Sequence, residues 1–161
     1  MRLTLIACAA ALALGSAAAA QGTDITFGGM RGDTSAPVQV VSDSLTVDQV
    51  TQRGVFSGNV VVTQGAMRLT AAEIEVEYTE AGDGIQRLLA RGGVTLTNGS
   101  DAAKSAEAVY TIASGDVVMT GDVVLTQGKA AISGQKMVMN LTSGQGRMEG
   151  RVTTTFVPGG N

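Results

Sequence analysis

Apolar and polar positions alternate with a period of two along most of the chain, in two phrases that each recur four times. The first phrase carries a central glycine. Phe56-Ser57-Gly58-Asn59-Val60-Val61-Val62-Thr63-Gln64-Gly65 is its clearest copy, and Met119-Thr120-Gly121-Asp122-Val123-Val124-Leu125-Thr126-Gln127-Gly128 repeats it closely. Weaker copies run from Ala90 to Gly99 and from Met148 to Phe156. The second phrase precedes each of these, as Ser42 to Val47, Ala71 to Val76, Ser105 to Tyr110 and Gly134 to Met139. From the start of the second phrase to the central glycine is 16, 21, 16 and 16 residues. The extra residues of the second unit fall around Ala81-Gly82-Asp83-Gly84, turn chemistry in which an insertion costs little.

A period of two is the mark of a strand with one buried face. The apolar face of the glycine phrase carries Phe56, Gly58, Val60 and Val62, then Ala90, Gly92, Val94 and Leu96, then Met119, Gly121, Val123 and Leu125. Its last copy carries Met148, Gly150, Val152, Thr154 and Phe156. The opposite faces are mostly polar, with Val61 and Val124 as exceptions. In the other phrase Glu73, Glu75 and Glu77 alternate with Ile74, Val76 and Tyr78. Slipping this strand by one residue would bury three carboxylates, so its register is strongly specified. A glycine recurring on the apolar face predicts a bulge or kink that bends each strand. The pattern as a whole predicts an all-β, antiparallel protein built from four β-hairpin units.

The N-terminus departs from this pattern. Arg2 is followed by an apolar stretch, Leu3 to Leu14, and then by Ala18 and Ala20 at the small-residue positions of an A-x-A cleavage site. Residues 1–20 read as a secretory signal peptide with cleavage before Gln21, because a run this short falls below the roughly twenty residues needed to span a bilayer. Cys8 lies inside that segment; a lipoprotein-type cut there would leave most of the apolar run on the wrong side. Gln21 to Ala36 is polar, glycine-rich and without period, and reads as a flexible leader. Residues 37–158 form the predicted folded domain, and 159–161 a tail.

Composition narrows the chemistry. Setting Arg2 aside leaves ten basic against fourteen acidic residues, a net charge of -4, with no block of Lys or Arg to favour nucleic acid or an anionic membrane surface. There is no histidine, no tryptophan and no cysteine beyond Cys8, which removes zinc sites, His-assisted nucleophiles and disulfides. Glu73, Glu75 and Glu77 read as a solvated face rather than catalytic groups. Asp116 and Asp122 lie near turns, and Asp24, Asp33 and Asp43 are too scattered for a calcium loop. Gly92-Gly93 and Gly82-Asp83-Gly84 lack the strand-to-helix context of a phosphate loop. No catalytic site, no metal and no cofactor is expected.

Four stretches resemble a known family when taken in order: Pro37 to Asp43, Phe56 to Gly65, Val118 to Asp122, and Arg151 to Pro158. Each is short, but their sequence along about 120 residues behind an export signal is similar to the LptA (OstA-like) family. The resemblance implies an antiparallel β-jellyroll with an open, V-shaped apolar groove. It also implies a periplasmic bridge that carries lipopolysaccharide, its lipid A acyl chains inside the groove, from an inner-membrane transporter to an outer-membrane translocon. Positions matching the family's lipid-facing set are Val38, Val40, Leu96, Tyr110 and Ile112; Phe56, Val60, Val62, Val123 and Leu125 join them on the apolar face. The terminal strands, with Val38 and Val40 at one edge and Val152, Thr154 and Phe156 at the other, are the implied pairing edges. An LptC-like inner-membrane protein would meet the N-terminal edge, an LptD-like outer-membrane protein the C-terminal edge, and copies of the chain could join head to tail.

The physics is compatible with such a role. Exposing a bare acyl chain of about fourteen carbons would cost on the order of 10 kcal/mol at ~0.8 kcal/mol per CH₂, so a transport path must stay apolar throughout. A packed, sealed sandwich would bury the same residues, and alternation alone does not separate the two. Two other readings stand beside the carrier. One is an LptC-like component anchored by its N-terminal segment. The other is a structural β-repeat that transports nothing.

Overall fold

A computed structural model describes residues 23–26 and 28–158; the predicted signal peptide, its cleavage site, Cys8 and the 159–161 tail lie outside these. The chain forms β1 (Thr23–Thr26), a single 3-10 turn (Gly28–Met30), β2 (Val38–Val41), β3 (Ser44–Asp48), β4 (Arg53–Gln64), β5 (Met67–Tyr78) and β6 (Ile85–Asn98). It continues through β7 (Asp101–Thr111), β8 (Asp116–Gln127), β9 (Ala130–Asn140), β10 (Gln145–Glu149) and β11 (Thr153–Phe156). All pairings are antiparallel, in the order β1-β10-β9-β8-β7-β6-β5-β4-β2, with β3 also on β4 and β11 also on β9. The residues added to the second unit form the β5–β6 turn, closed by Thr79 N–H to the Gly84 carbonyl (2.9 Å) and by the Thr79 hydroxyl to Asp83 (2.8 Å).

The recurring glycine marks a bend in β4, β6 and β8 and, in its fourth copy, the break between β10 and β11. Gly58-Asn59, Gly92-Gly93, Gly121-Asp122 and Gly150-Arg151 are consecutive pairs with positive φ, at +80 and +47°, +80 and +82°, +85 and +46°, and +83 and +47°. In β4, β6 and β8 the pair marks the point where the register with neighbouring strands shifts, as a β-bulge does. Glycine is required for a second reason. A Cβ at Gly92 or Gly121 would stand 2.7 Å from the Cβ of Ala72 or Ala106, so the backbones can approach at the bend only without a side chain there.

The bends fold one sheet into two layers. Residues 53–57 of β4 pair with β3, and 60–64 with β2. At the far side, residues 136–140 of β9 pair with β10, and 130–133 with β11. Each long strand thus crosses from a first layer (β3 through to β10 and β1) to a second (β2 through to β11), with the bulges along the vertex. This is the antiparallel jellyroll that the two recurring phrases encode.

Burial follows the predicted faces. Val60, Val62, Ile74, Val76, Leu88, Met119, Val123, Leu125, Met137, Met139 and Met148 are buried in one interior cluster. The outer face of the first layer is laced by ions. Arg53 meets Glu75 at 2.8 Å and Glu77 at 3.1 Å, and Arg87 meets Glu77 at 2.6 Å. Glu75 and Glu77 point away from the core as predicted, but arginines cover them, leaving their side chains only 14% and 13% exposed.

Two expectations are corrected. Gln21 to Ala36, read as a flexible leader, contains β1, which pairs with β10 through Thr23↔Met148 to Thr26↔Gln145. It also contains Met30, which is fully buried. A segment without internal period can be ordered by partners distant in sequence, and periodicity carries no trace of them. The second correction concerns the apolar face at the ends. Thr154 and Phe156 continue the inward parity of the last glycine phrase, yet both are exposed, Phe156 by 72%, as are Leu45 and Val47 of β3. These strands are the last of their layers and have a neighbour on one side only.

Candidate functional site

The interior is a set of cross-strand rows that run without a break from one edge of the sheet to the other. In the second layer one row passes Val40↔Val62↔Leu69↔Leu96↔Ala103↔Leu125↔Ile132↔Thr154. In the first layer its counterpart passes Leu45↔Phe56↔Ile74↔Ala90↔Ala108↔Met119↔Met137↔Met148. Small and aliphatic side chains dominate because alternate strands repeat the same two phrases. Stacking the phrases places like upon like.

The ten residues expected to face lipid turn toward this interior, whereas of the expected edge residues Val152 packs partly against it and Thr154 and Phe156 are exposed. Val60, Val62, Leu96, Tyr110, Val123 and Leu125 are buried at the centre. Val38, Val40, Phe56 and Ile112 are half-buried against the same cluster. The centre is filled by the protein's own side chains; clefts open near both ends and over the bend, where one of about 620 Å³ is lined by Gly58, Asn59, Val61, Arg68, Thr70 and Gly93. At the β3 end a cleft of about 290 Å³ is lined by Val47, Asp48, Gln52, Arg53 and Tyr78. At the β1 end a cleft of about 530 Å³ is lined by Ile25, Val138, Met139 and Gly146, with Asp116, Arg147 and Glu149 around it.

Among the described residues, buried polar groups gather at one level of the interior, apart from Ser105 near the bend, whose hydroxyl donates to the Glu107 carbonyl at 2.8 Å. Gln64, Asn98 and Gln127 occupy the same position in three copies of the glycine phrase, two residues beyond Val62, Leu96 and Leu125, and therefore on the inward side. Gln64 and Asn98 are buried, as is Asp101, which accepts a bond from the Gln127 amide at 2.8 Å. The Tyr110 hydroxyl, coming from the first layer, donates to Gln64 Oε1 in the second at 2.6 Å. This level was missed in the sequence reading. Its signal was present, as an amide side chain recurring on an otherwise apolar parity just before each turn glycine.

Burial pushes the Tyr110 hydroxyl up to about 12 from its usual 10.0. Its neutral form is the one the fold favours, so the stability it contributes is complete below pH 10 and is lost as pH rises through 12. Tyr110→Phe removes the only hydrogen-bond donor shown to Gln64 Oε1 and should cost about 1–3 kcal/mol at neutral pH. The same variant should lose stability less steeply than the parent above pH 10. Urea midpoints followed across that range measure both effects. Parallel curves would mean that Tyr110 is not the titrating group.

Four backbone edges are left without a neighbour among the described residues: β2 and β3 at one end, β1 and β11 at the other. Exposed apolar side chains gather beside them, Val41, Leu45, Val47 and Val50 at the first end and Phe156 and Val157 at the second. An edge of this kind invites strand addition. Among the described residues no group of His, Cys, Asp and Glu could hold a metal ion, and no helix is long and apolar enough to cross a membrane.

A two-layer jellyroll with a continuous aliphatic interior and unpaired edges at both ends can be compared with known proteins. The family model described as LptA/(LptD N-terminal domain) LPS transport protein matches residues 39–145. The chain belongs to this family. Among LptA proteins, the lipopolysaccharide export system protein LptA of Escherichia coli (strain K12) is 29% identical over 140 residues, covering 79% of this chain and 74% of that protein. An uncharacterized protein of Rhizobium meliloti is 28% identical over 115 residues, 67% of this chain, and the match spans 62% of its length. In fold, the chain is similar to LptH of Pseudomonas aeruginosa, described as the LptA-homologous periplasmic component of a lipopolysaccharide transport device. That likeness has a TM-score of 0.69 at 20% identity and covers 79% of this chain and 99% of LptH. The LptA-like jellyroll is thus shared where sequence identity is low. This fits a fold specified by two repeating phrases more than by individual residues.

Proposed function

We propose that this protein is a periplasmic lipopolysaccharide carrier that shields lipid A acyl chains in its interior while they pass from an inner-membrane transporter to an outer-membrane translocon. The observation that carries this reading is the apolar row that runs unbroken from Val40 of β2 to Ile132 of β9 and ends at Thr154 of β11, with unpaired strand edges at both ends. A lipid moving along such a row meets no charged side chain until the edge, and a neighbouring jellyroll added at that edge would extend the row. Membership of the LptA family supports the same reading. On this view Val38, Val40, Phe56, Val60, Val62, Leu96, Tyr110, Ile112, Val123 and Leu125 face the acyl chains. The β2 edge, with Val38 and Val40, receives an LptC-like partner. The C-terminal edge, with Val152, Thr154 and Phe156, meets an LptD-like partner or a second copy. Export to the periplasm follows from the N-terminal segment read as a signal peptide. The chain performs no reaction; it lowers the cost of moving an apolar solute through water.

A photo-crosslinking amino acid tests the lipid path. Phe56 and Ile112 are suitable sites because they line the interior but are only half-buried, so a bulky probe does less damage there than at Leu96 or Tyr110. Probes at these positions should capture lipopolysaccharide in living cells, and a probe at the outward Glu73 should not. Capture at all three, or at none, would overturn the proposal.

A further inference from the structure

The chain between β1 and β2 has an unusual path. The long strands end in two rows of hairpin turns, one row per layer, and the mouth of the V lies between these rows. Residues 29–36 run along that mouth and are bonded to both rows. Toward the first layer, Gly32 N–H donates to the Leu141 carbonyl at 3.0 Å, the Arg31 Nε donates to the Thr142 carbonyl at 3.3 Å, and the Thr34 and Thr142 hydroxyls stand 3.5 Å apart. Toward the second layer, the Gln64 amide donates to the Thr34 and Ala36 carbonyls at 3.0 and 2.9 Å, and the Asn98 amide donates to the Arg31 carbonyl. Gly29 lies against the Asp101 carboxyl, where no Cβ would fit.

The amide level of the interior therefore has a partner. Gln64 and Asn98, together with Tyr110 behind Gln64, hold this segment across the opening. Met30 is the only large apolar side chain between residues 29 and 36, and it is buried in the core cluster while its neighbours are exposed or half-exposed. One flexible side chain and a handful of hydrogen bonds hold the segment. Such a cover can open without unfolding the sheets behind it.

We infer that residues 29–36 are a strap that closes the mouth of the carrier, with Met30 in the place an acyl chain end would take, and that lipid enters by displacing it. A sugar-bearing lipid cannot sink its head into an aliphatic core, so the mouth must open wherever a head emerges. This inference rests on the carrier reading, and its test separates the two.

Thr34→Cys with Thr142→Cys, in a Cys8→Ser background, allows the strap to be locked by oxidation and freed by reductant within one protein. Binding of fluorescently labelled lipopolysaccharide should be weaker by at least roughly tenfold in the oxidised form, because the competent state is withdrawn, and reductant should restore it. Equal binding in both forms would overturn the strap. Met30→Ser gives an independent arm without lipopolysaccharide: freeing the mouth should raise the fluorescence of the apolar dye anilinonaphthalene sulfonate several-fold, roughly in proportion to the population opened. No increase would also overturn the strap. Dye uptake in Met30→Ser, with no lipopolysaccharide bound by any form, would leave the strap standing and remove the carrier reading.

Discussion

Gly121→Ala is expected to destabilise the folded protein by about 2–5 kcal/mol, well beyond the same change at Gly128. The residue sits at φ +85°, where a side chain costs roughly 1–2 kcal/mol against the following carbonyl. Its Cβ would also stand 2.7 Å from that of Ala106, and crowding of this kind in a packed site adds about 1–3 kcal/mol. Gly128 has a positive φ of +56° as well, but nothing lies within 4 Å of an added Cβ, so only the first cost applies there. Urea unfolding followed by far-ultraviolet circular dichroism measures the difference. Adding Ala106→Gly to Gly121→Ala should recover the crowding component and leave the backbone component. If the double variant recovers nothing, close approach of the strands at the bulge is not what requires glycine.

Leu96→Ala should cost about 2–5 kcal/mol, the range for a buried leucine whose site collapses only in part. Leu96 is 1% exposed and sits in the middle of the second-layer row, between Leu69 and Ala103. Val124→Ala, on the outer face and 39% exposed, should stay within about 0.5 kcal/mol. The contrast decides whether the centre of the lipid-free protein in solution is packed or a standing groove. A groove wall already in contact with water would lose little on truncation. A large effect at Leu96 means that entering acyl chains replace side-chain contacts and do not fill a void.

Much of the fold was legible because the same phrase is written four times. Period-two alternation assigned Val60, Val62, Leu96, Val123 and Leu125 to one face, and their recurrence made accidental agreement improbable. The central glycine pointed to a bend, which the paired positive φ values supply. Glu73, Glu75 and Glu77 were placed outside correctly. The arginines that cover Glu75 and Glu77 come from strands on either side, which the spacing of the carboxylates does not reveal. The amide level at Gln64, Asn98 and Gln127 was overlooked because each residue looks like ordinary turn chemistry when read beside its glycine. Only the inward parity distinguishes it.

Residues near the ends were harder to read. Leu45, Val47 and Phe156 share the pattern of their buried counterparts yet remain exposed. A strand's pattern states which side faces the core; it does not state whether a neighbouring strand extends the core that far. Met30 shows the converse. It stands in a glycine-rich stretch without period and is fully buried, since its burial depends on two rows of turns brought together by the rest of the fold.

The sequence by itself therefore determined the strands within the repeats, which of their faces turns inward and where they bend, because alternation, backbone conformation and the cost of burying charge all act between near neighbours. Only the tertiary structure decided where the interior ends, which polar groups enter it, and what lies across its mouth. Those outcomes depend on contacts between residues distant in sequence, such as Tyr110 with Gln64 and Met30 with the core, and no local pattern encodes them.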